Sequence, residues 1–292
     1  MLQCIVTGIL LGGLYSMIGI GMSLVFGIMR LTNLAHGDLM ILGTYITMVI
    51  SNGLGCGLIV STLISVAVMC VLGFIIQQFL VNKVMDKGEA PALLVTFGLS
   101  IFLSNLMLKI FSANNQLLTN KMASVNVVTT PQLSISASYL ISFIVAVVLI
   151  VGLSLIMQKT NFGRSIRATS DDVMAAELMG VNTKLAFSAA MIICMGITAV
   201  AGTLVGSTFT FYPSSGSQYL IIAFGVVVIG GMGSLFGTLI GGIVLGVAQL
   251  LGSYVGGQFG VPGIAMLVAY VVLLVILALR PNGLFASSAV RK

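Results

Sequence analysis

Polar side chains along this chain come in short clusters that separate apolar runs about as long as a bilayer is thick. A helix needs about 20 predominantly apolar residues to cross the hydrocarbon core. Runs of that kind fall at roughly 2–28, 34–51, 57–82, 91–111, 137–158, 184–207, 219–254 and 259–279. The seventh is too long for one span. Its cluster Gly230-Gly231-Met232-Gly233-Ser234 is a natural break, giving a short piece near 219–231 and a longer helix near 234–252. The pattern predicts an all-α polytopic membrane protein, a single domain over residues 1–292 with about eight transmembrane segments, one of them broken, and eight to nine crossings.

Composition agrees. Hydrophobic residues make up 59% of the chain and charged residues 6%, whereas a soluble domain carries about 25% charged residues. Thirty-five glycines suit helices packed closely in lipid. The four cysteines, Cys4, Cys56, Cys70 and Cys194, lie far apart and form neither a disulfide frame nor a metal-ligand spacing. Residues 1–28 lack a basic lead and a small-residue cleavage pattern, so they are expected to stay as a helix.

Charge orients the chain. The net charge of +6 comes from basic residues too dispersed to form a nucleic-acid stripe, so they are expected to anchor helices to the cytoplasmic face. Placing the 159–184 loop inside, and letting the seventh run break and turn back, puts ten basic residues inside: Arg30, Lys83, Lys87, Lys159, Arg164, Arg167, Lys184, Arg280, Arg291 and Lys292. Only Lys109 and Lys121 stay outside. The N-terminus is then outside and the C-terminus cytoplasmic.

Two connections stand out. Residues 112–136 form a polar, Thr- and Asn-rich external excursion, readable as a partner contact or as a plain connector. Residues 159–183, KTNFGRSIRATSDDVMAAELMGVNT, hold the largest charged stretch. Within it 171–179 predicts one short helix, with acids at its start and Gly180 at its close. Val173, Ala176 and Gly180 would line one small-residue side, suited to a groove on another protein. An ordinary surface loop pinned by Arg–Asp pairs explains the same residues.

The order GRSIRATSDDVMAAELMGVN resembles the cytoplasmic loop of permease subunits of ABC importers, in the branched-chain amino-acid (LivH-type) family. Gly163, Arg167, Ala168, Asp172, Ala176, Gly180, Val181 and Asn182 fall on that family's pattern. The stretch GLYSMIGIGMSLVFGIMRLTNLAHGDLMILGTYI is similar to the family's first two helices, with Asn33, Ala35, His36, Gly37, Gly43 and Tyr45 on the motif. Its later Gly-rich signature corresponds to GVVVIGGMGSLFGTLIGG. The resemblance implies ABC importer permease architecture in the plasma (inner) membrane of a prokaryote. It also implies branched-chain amino acids as substrate, with urea, short amides or another small solute as the alternative. The chain would bind no cofactor and catalyse nothing, ATP being used by two ATP-binding subunits. Gly163, Arg167, Ala168, Asp172, Ala176, Glu177 and Gly180 would couple to them. A second permease subunit, homologous or identical, and an external solute-binding protein complete the expected assembly. The sequence itself lacks G-x-x-x-x-G-K-[ST], the loop that cradles nucleotide phosphates.

One polar cluster sits at the start of a span. His36 is the chain's one histidine, and Asp38 is the one acid before residue 86. Asn33 reads as a helix N-cap, and Gly37 as a kink or close approach. Asp38 is expected near the cytoplasmic mouth, paired with Arg30 or His36, as a cap or as a brace that closes the inner gate. A proton relay is the rival reading. It fits poorly, because relays use several buried acids, and a lone ion-coupled carrier has no need of the charged 159–184 loop. At the second break Gly230, Gly231, Gly233 and Ser234 either line the pathway with free backbone groups or serve close helix packing. No nucleophile–base set, carboxylate pair or metal-ligand cluster lies within the spans.

Overall fold

The computed structural model describes residues 1–85, 87–118, 126–130, 133–261 and 263–285. Helix α1 (Leu2–Met29) is followed by α2 (His36–Leu54), α3 (Leu58–Ile76), α4 (Asn82–Met85) and α5 (Glu89–Phe111). A π-helical turn, Gln77–Val81, carries α3 into α4. Strands β1 (Asn126–Thr130) and β2 (Leu133–Ser136) pair antiparallel ahead of α6 (Ala137–Lys159). The remaining helices are α7 (Asn161–Asp171), α8 (Val173–Leu178), α9 (Thr183–Thr208), α10 (Gly216–Gly230), α11 (Leu235–Phe259) and α12 (Ile264–Leu279). Among the described residues seven helical units are long and apolar enough to cross a membrane: α1, α3 with α4, α5, α6, α9, α10 with its preceding turn, and α11.

Helices α1 and α9 form the centre. In lipid, helices gain little from apolar burial against each other, so close backbone approach must supply the attraction. A Cβ on Gly8 would lie 2.8 Å from the Val247 Cα, and one on Gly27 would lie 2.8 Å from the Gly233 Cα, so α1 packs antiparallel along α11. Helix α9 stands in the same relation to α3, where a Cβ on Gly73 would come within 3.0 Å of the Met195 Cβ. The contacts are reciprocal: α1 touches α10 and α11, α9 touches α2 and α3, and α2 meets α10. Helices α1–α3 and α9–α11 thus pack against each other in a reciprocal order. The counterpart of the α2 start is the α10 start.

Several buried hydroxyls are satisfied within their own helices. Thr44, Thr47, Thr198 and Thr203 each donate to the carbonyl four residues back, at 2.7–3.0 Å, as a water-free interior demands. The Thr47 and Thr203 hydroxyls also meet at 3.0 Å, tying α2 to α9.

The breaks sort the charges. Arg30, Lys83, Lys87, Lys159, Arg164, Arg167, Lys184 and Arg280 all gather at one end of the bundle, where α1 and α6 finish and α9 and α11 begin. Lys109 lies at the other end, while Lys121, Arg291 and Lys292 lie outside the described residues. The expected external loop 112–136 is not wholly a loop. It contains β1 and β2, Gln116 pairs with Phe211, and the Leu118 N–H donates to the Gly206 carbonyl at 2.8 Å.

Candidate functional site at the meeting of two helix starts

Helix α1 ends at Arg30, whose left-handed backbone (φ 52°) turns the chain back. Residues 31–35 then re-enter the bundle without regular structure, their polar backbone satisfied locally. The Asn33 Oδ1 accepts from the Ala35 N–H at 3.0 Å, and the Leu34 N–H donates to the Thr96 hydroxyl at 3.4 Å. Asn33 therefore makes an Asx turn. The N-cap position it was expected to fill belongs to Ala35, which has no capping side chain.

Because of that re-entry, α2 does not start at the basic end. The His36 Nε2 lies 2.9 Å from the Ile18 carbonyl oxygen. Ile18 precedes the end of α1 by about 16 Å at 1.5 Å per residue. Asp38 accepts a hydrogen bond from Ser100, midway along α5. Two expectations are corrected. Asp38 is partnered by Ser100 in place of Arg30 or His36, and it sits level with the middle of its neighbours, far from the mouth. Both side chains are buried, at 1% exposure for His36 and 2% for Asp38. Gly21 makes room for the imidazole, since a Cβ there would lie 3.1 Å from the His36 Cε1.

Helix α10 repeats the device from the other side. After α9 ends at Thr208, residues 209–215 turn inward through Phe211 and a short 3-10 turn, Pro213–Ser215. The α10 start at Gly216 then abuts the α2 start. A Cβ on Gly37 would overlap the Gly216 carbonyl, and one on Gly216 would overlap the Asp38 carboxylate and lie 2.8 Å from the Asp38 Cα. Each helix start carries a partial positive charge of about half a unit. The Asp38 side chain lies where the two meet. Beside it Ser217 and Gln218, in the first turn of α10, are exposed on the flank of the bundle. Sequence reasoning missed Ser100, Gly216, Ser217 and Gln218. The signal was the Pro213-Ser214-Ser215-Gly216 run, a helix-start signature inside what reads as a connector.

The second break lies at the basic end, apart from this junction. Gly231 and Gly233 take φ of 100° and 83°, and Ser234 caps α11 by accepting from the Gly237 N–H at 3.0 Å. Gly230 and Gly237 are in backbone contact. The Ile229 and Gly230 carbonyls accept from the Leu284 and Phe285 N–H groups at 2.9 and 3.0 Å. Much of the backbone expected to be free is therefore bonded within the chain.

In the 159–184 segment the helix predicted at 171–179 is α8, and a further helix, α7, precedes it. Helix α7 ends at Asp171, and Asp172 caps α8 by accepting from the Ala175 N–H at 3.0 Å. Gly180 closes the turn at φ 82°, and Glu177 accepts from the Thr183 hydroxyl at 2.6 Å. Gly163 packs on the Met157 backbone, while Arg167 and Ala168 are exposed. The outward face is not the small-residue one. Ala176 is buried, and the side chains that protrude are Met174, Leu178 and Met179, at 74%, 84% and 84% exposure.

The sequence of this bundle matches a known family. The family described as "Branched-chain amino acid transport system / permease component" covers residues 4–277. The chain belongs to that family. Among curated relatives, this permease is 28% identical to the high-affinity branched-chain amino acid transport system permease protein LivH of Salmonella typhimurium, over 100% of this chain and 97% of the relative. BraD of Pseudomonas aeruginosa, described in the same words, matches at the same identity and coverage. The probable branched-chain amino acid transport permease protein LivH of Methanocaldococcus jannaschii is 24% identical over 94% of this permease and 90% of its own length. Among solved structures, PsaBC from Streptococcus pneumoniae in complex with Fab aligns with a TM-score of 0.49 at 14% identity, over 99% of this permease and 92% of that chain.

Proposed function

We propose that the chain is the membrane subunit of an ATP-driven importer that carries branched-chain amino acids by alternating access. The observation that carries this reading is the family match over residues 4–277, together with relatives of that description matching along their full length. Three features of the structure support it.

The first is the α2–α10 junction. Discontinuous helices whose starts meet at mid-depth are how transporters hold polar groups within an apolar bundle. Ser217 and Gln218 at that depth are exposed, and polar side chains at mid-bilayer face a partner or a path rather than lipid. A second permease subunit covers that flank, and the solute passes between the two.

The second is the knob on α8. Met174, Leu178 and Met179 seat in an ATP-binding subunit, and the motion of that subunit enters through α7 and α8. Asp172 and Glu177 set the shape of the segment. The third is the collection of basic residues at one end, which supports a cytoplasmic position for that end and an external N-terminus, where a solute-binding protein delivers the substrate.

The test is uptake of labelled leucine by the importer reconstituted with its partner subunits, with urea as competitor. Competition by isoleucine and valine but not by urea supports the reading. Transport of urea in preference to leucine overturns the substrate assignment.

A further inference from the structure

A cleft of about 480 Å³ opens at the basic end between α1, α6, α7 and α11. That volume lies within the ~300–1,000 Å³ typical of small-ligand sites. Arg167 and Asp171, one turn apart on α7, both line it. Opposite charges four residues apart on a helix ordinarily pair. Among the described residues neither has an ion pair or a side-chain hydrogen bond. The cleft thus holds one cationic and one anionic group, each with unused capacity. Ile28 of α1, Met157 of α6 and Phe236 of α11 supply apolar wall.

We infer that this cleft binds a free zwitterionic α-amino acid with an apolar side chain. The Arg167 guanidinium takes the carboxylate, Asp171 takes the ammonium, and the side chain lies against Ile28, Met157 and Phe236. This rests on the transport reading, which delivers such a solute to this end. The consequence is regulatory. Helix α7 leads within one residue into α8, so a ligand that ties α7 to α1 and α11 resists displacement of the coupling knob. Amino acid accumulated on this side slows its own import. An ethanolamine phospholipid headgroup shares the chemistry, a phosphate beside an ammonium, and the test separates the two.

The importer, complete with its partner subunits, is placed in phosphatidylglycerol vesicles, whose headgroups lack an ammonium. Initial ATP-driven leucine uptake is compared between empty vesicles and vesicles preloaded with leucine, each variant against itself. Preloading is expected to slow the wild type. In Asp171→Asn about tenfold more internal leucine is needed for the same slowing, the loss expected for one charge-assisted contact, and the cleft-filling Ser154→Phe needs at least as much. Internal glycerophosphoethanolamine has no effect. Equal slowing in wild type and variants overturns the site, and so does slowing of the wild type by glycerophosphoethanolamine without leucine, which assigns the cleft to lipid. Wild-type vesicles that import leucine but ignore internal leucine sink this inference alone. Vesicles that import no leucine sink the transport reading and the site with it.

Discussion

Gly37 and Gly216 hold the starts of α2 and α10 in backbone contact at the middle of the bundle, with the Asp38 carboxylate against Gly216. No side chain fits there. Gly216→Ala should force the two helix starts apart, at a cost of about 1–3 kcal/mol for overpacking. The readout is a lowered thermal midpoint in detergent and a loss of uptake. Gly152→Ala, on the surface of α6 with nothing within 4 Å of the added methyl, should be neutral or slightly stabilising. Equal effects of the two would contradict the packing described.

Asp38 sits against the α10 start and accepts from the Ser100 hydroxyl. Asp38→Asn keeps an acceptor for the Ser100 hydroxyl and should leave ATP-driven uptake largely intact. Asp38→Leu removes that acceptor and should destabilise by about 1–3 kcal/mol, the penalty for stranding a buried polar partner. Complete loss of uptake in Asp38→Asn, with normal assembly, would show that the carboxylate moves protons.

The turn between α10 and α11 depends on a cap and on left-handed glycines. Ser234→Ala should cost about 1 kcal/mol through loss of the bond from the Gly237 N–H. Gly231→Ala should cost about 1–2 kcal/mol, because φ of 100° strains any residue with a Cβ. Both are read from thermal unfolding of the purified subunit.

The knob on α8 separates coupling from stability. Leu178→Asp, at a side chain exposed by 84%, should change the unfolding free energy by no more than about 0.5 kcal/mol. It should nevertheless cut solute-stimulated ATP hydrolysis by more than about tenfold, as loss of a buried anchor at an interface does. Unchanged stimulation would place the docking surface elsewhere.

Much of this was legible in the sequence. Apolar runs of bilayer length located the long helices, and Gly230 to Ser234 located the α10–α11 turn, because glycine clusters interrupt helices whatever surrounds them. Among the described residues the basic ones other than Lys109 then fell at one end. Depth was not legible. Leu31, Leu34 and Ala35 are as apolar as a span, so nothing local says that they run back beside α1 and start α2 at the level of Ile18. The 209–215 re-entry was hidden for the opposite reason: Pro213, Ser214 and Ser215 look like any surface connector. Which face of α8 turns inward was also out of reach, because Ala176 and Met174 differ only in what α9 and α7 leave room for.

The central claim is that this subunit holds the conduit while the driving force enters from partner subunits through α7 and α8. The direct measurement is accumulation of labelled leucine against a gradient in sealed vesicles, comparing the subunit alone with the complete importer, each with and without ATP. Accumulation only by the complete importer, and only with ATP, is the predicted result. Accumulation by the subunit alone without nucleotide would contradict the account.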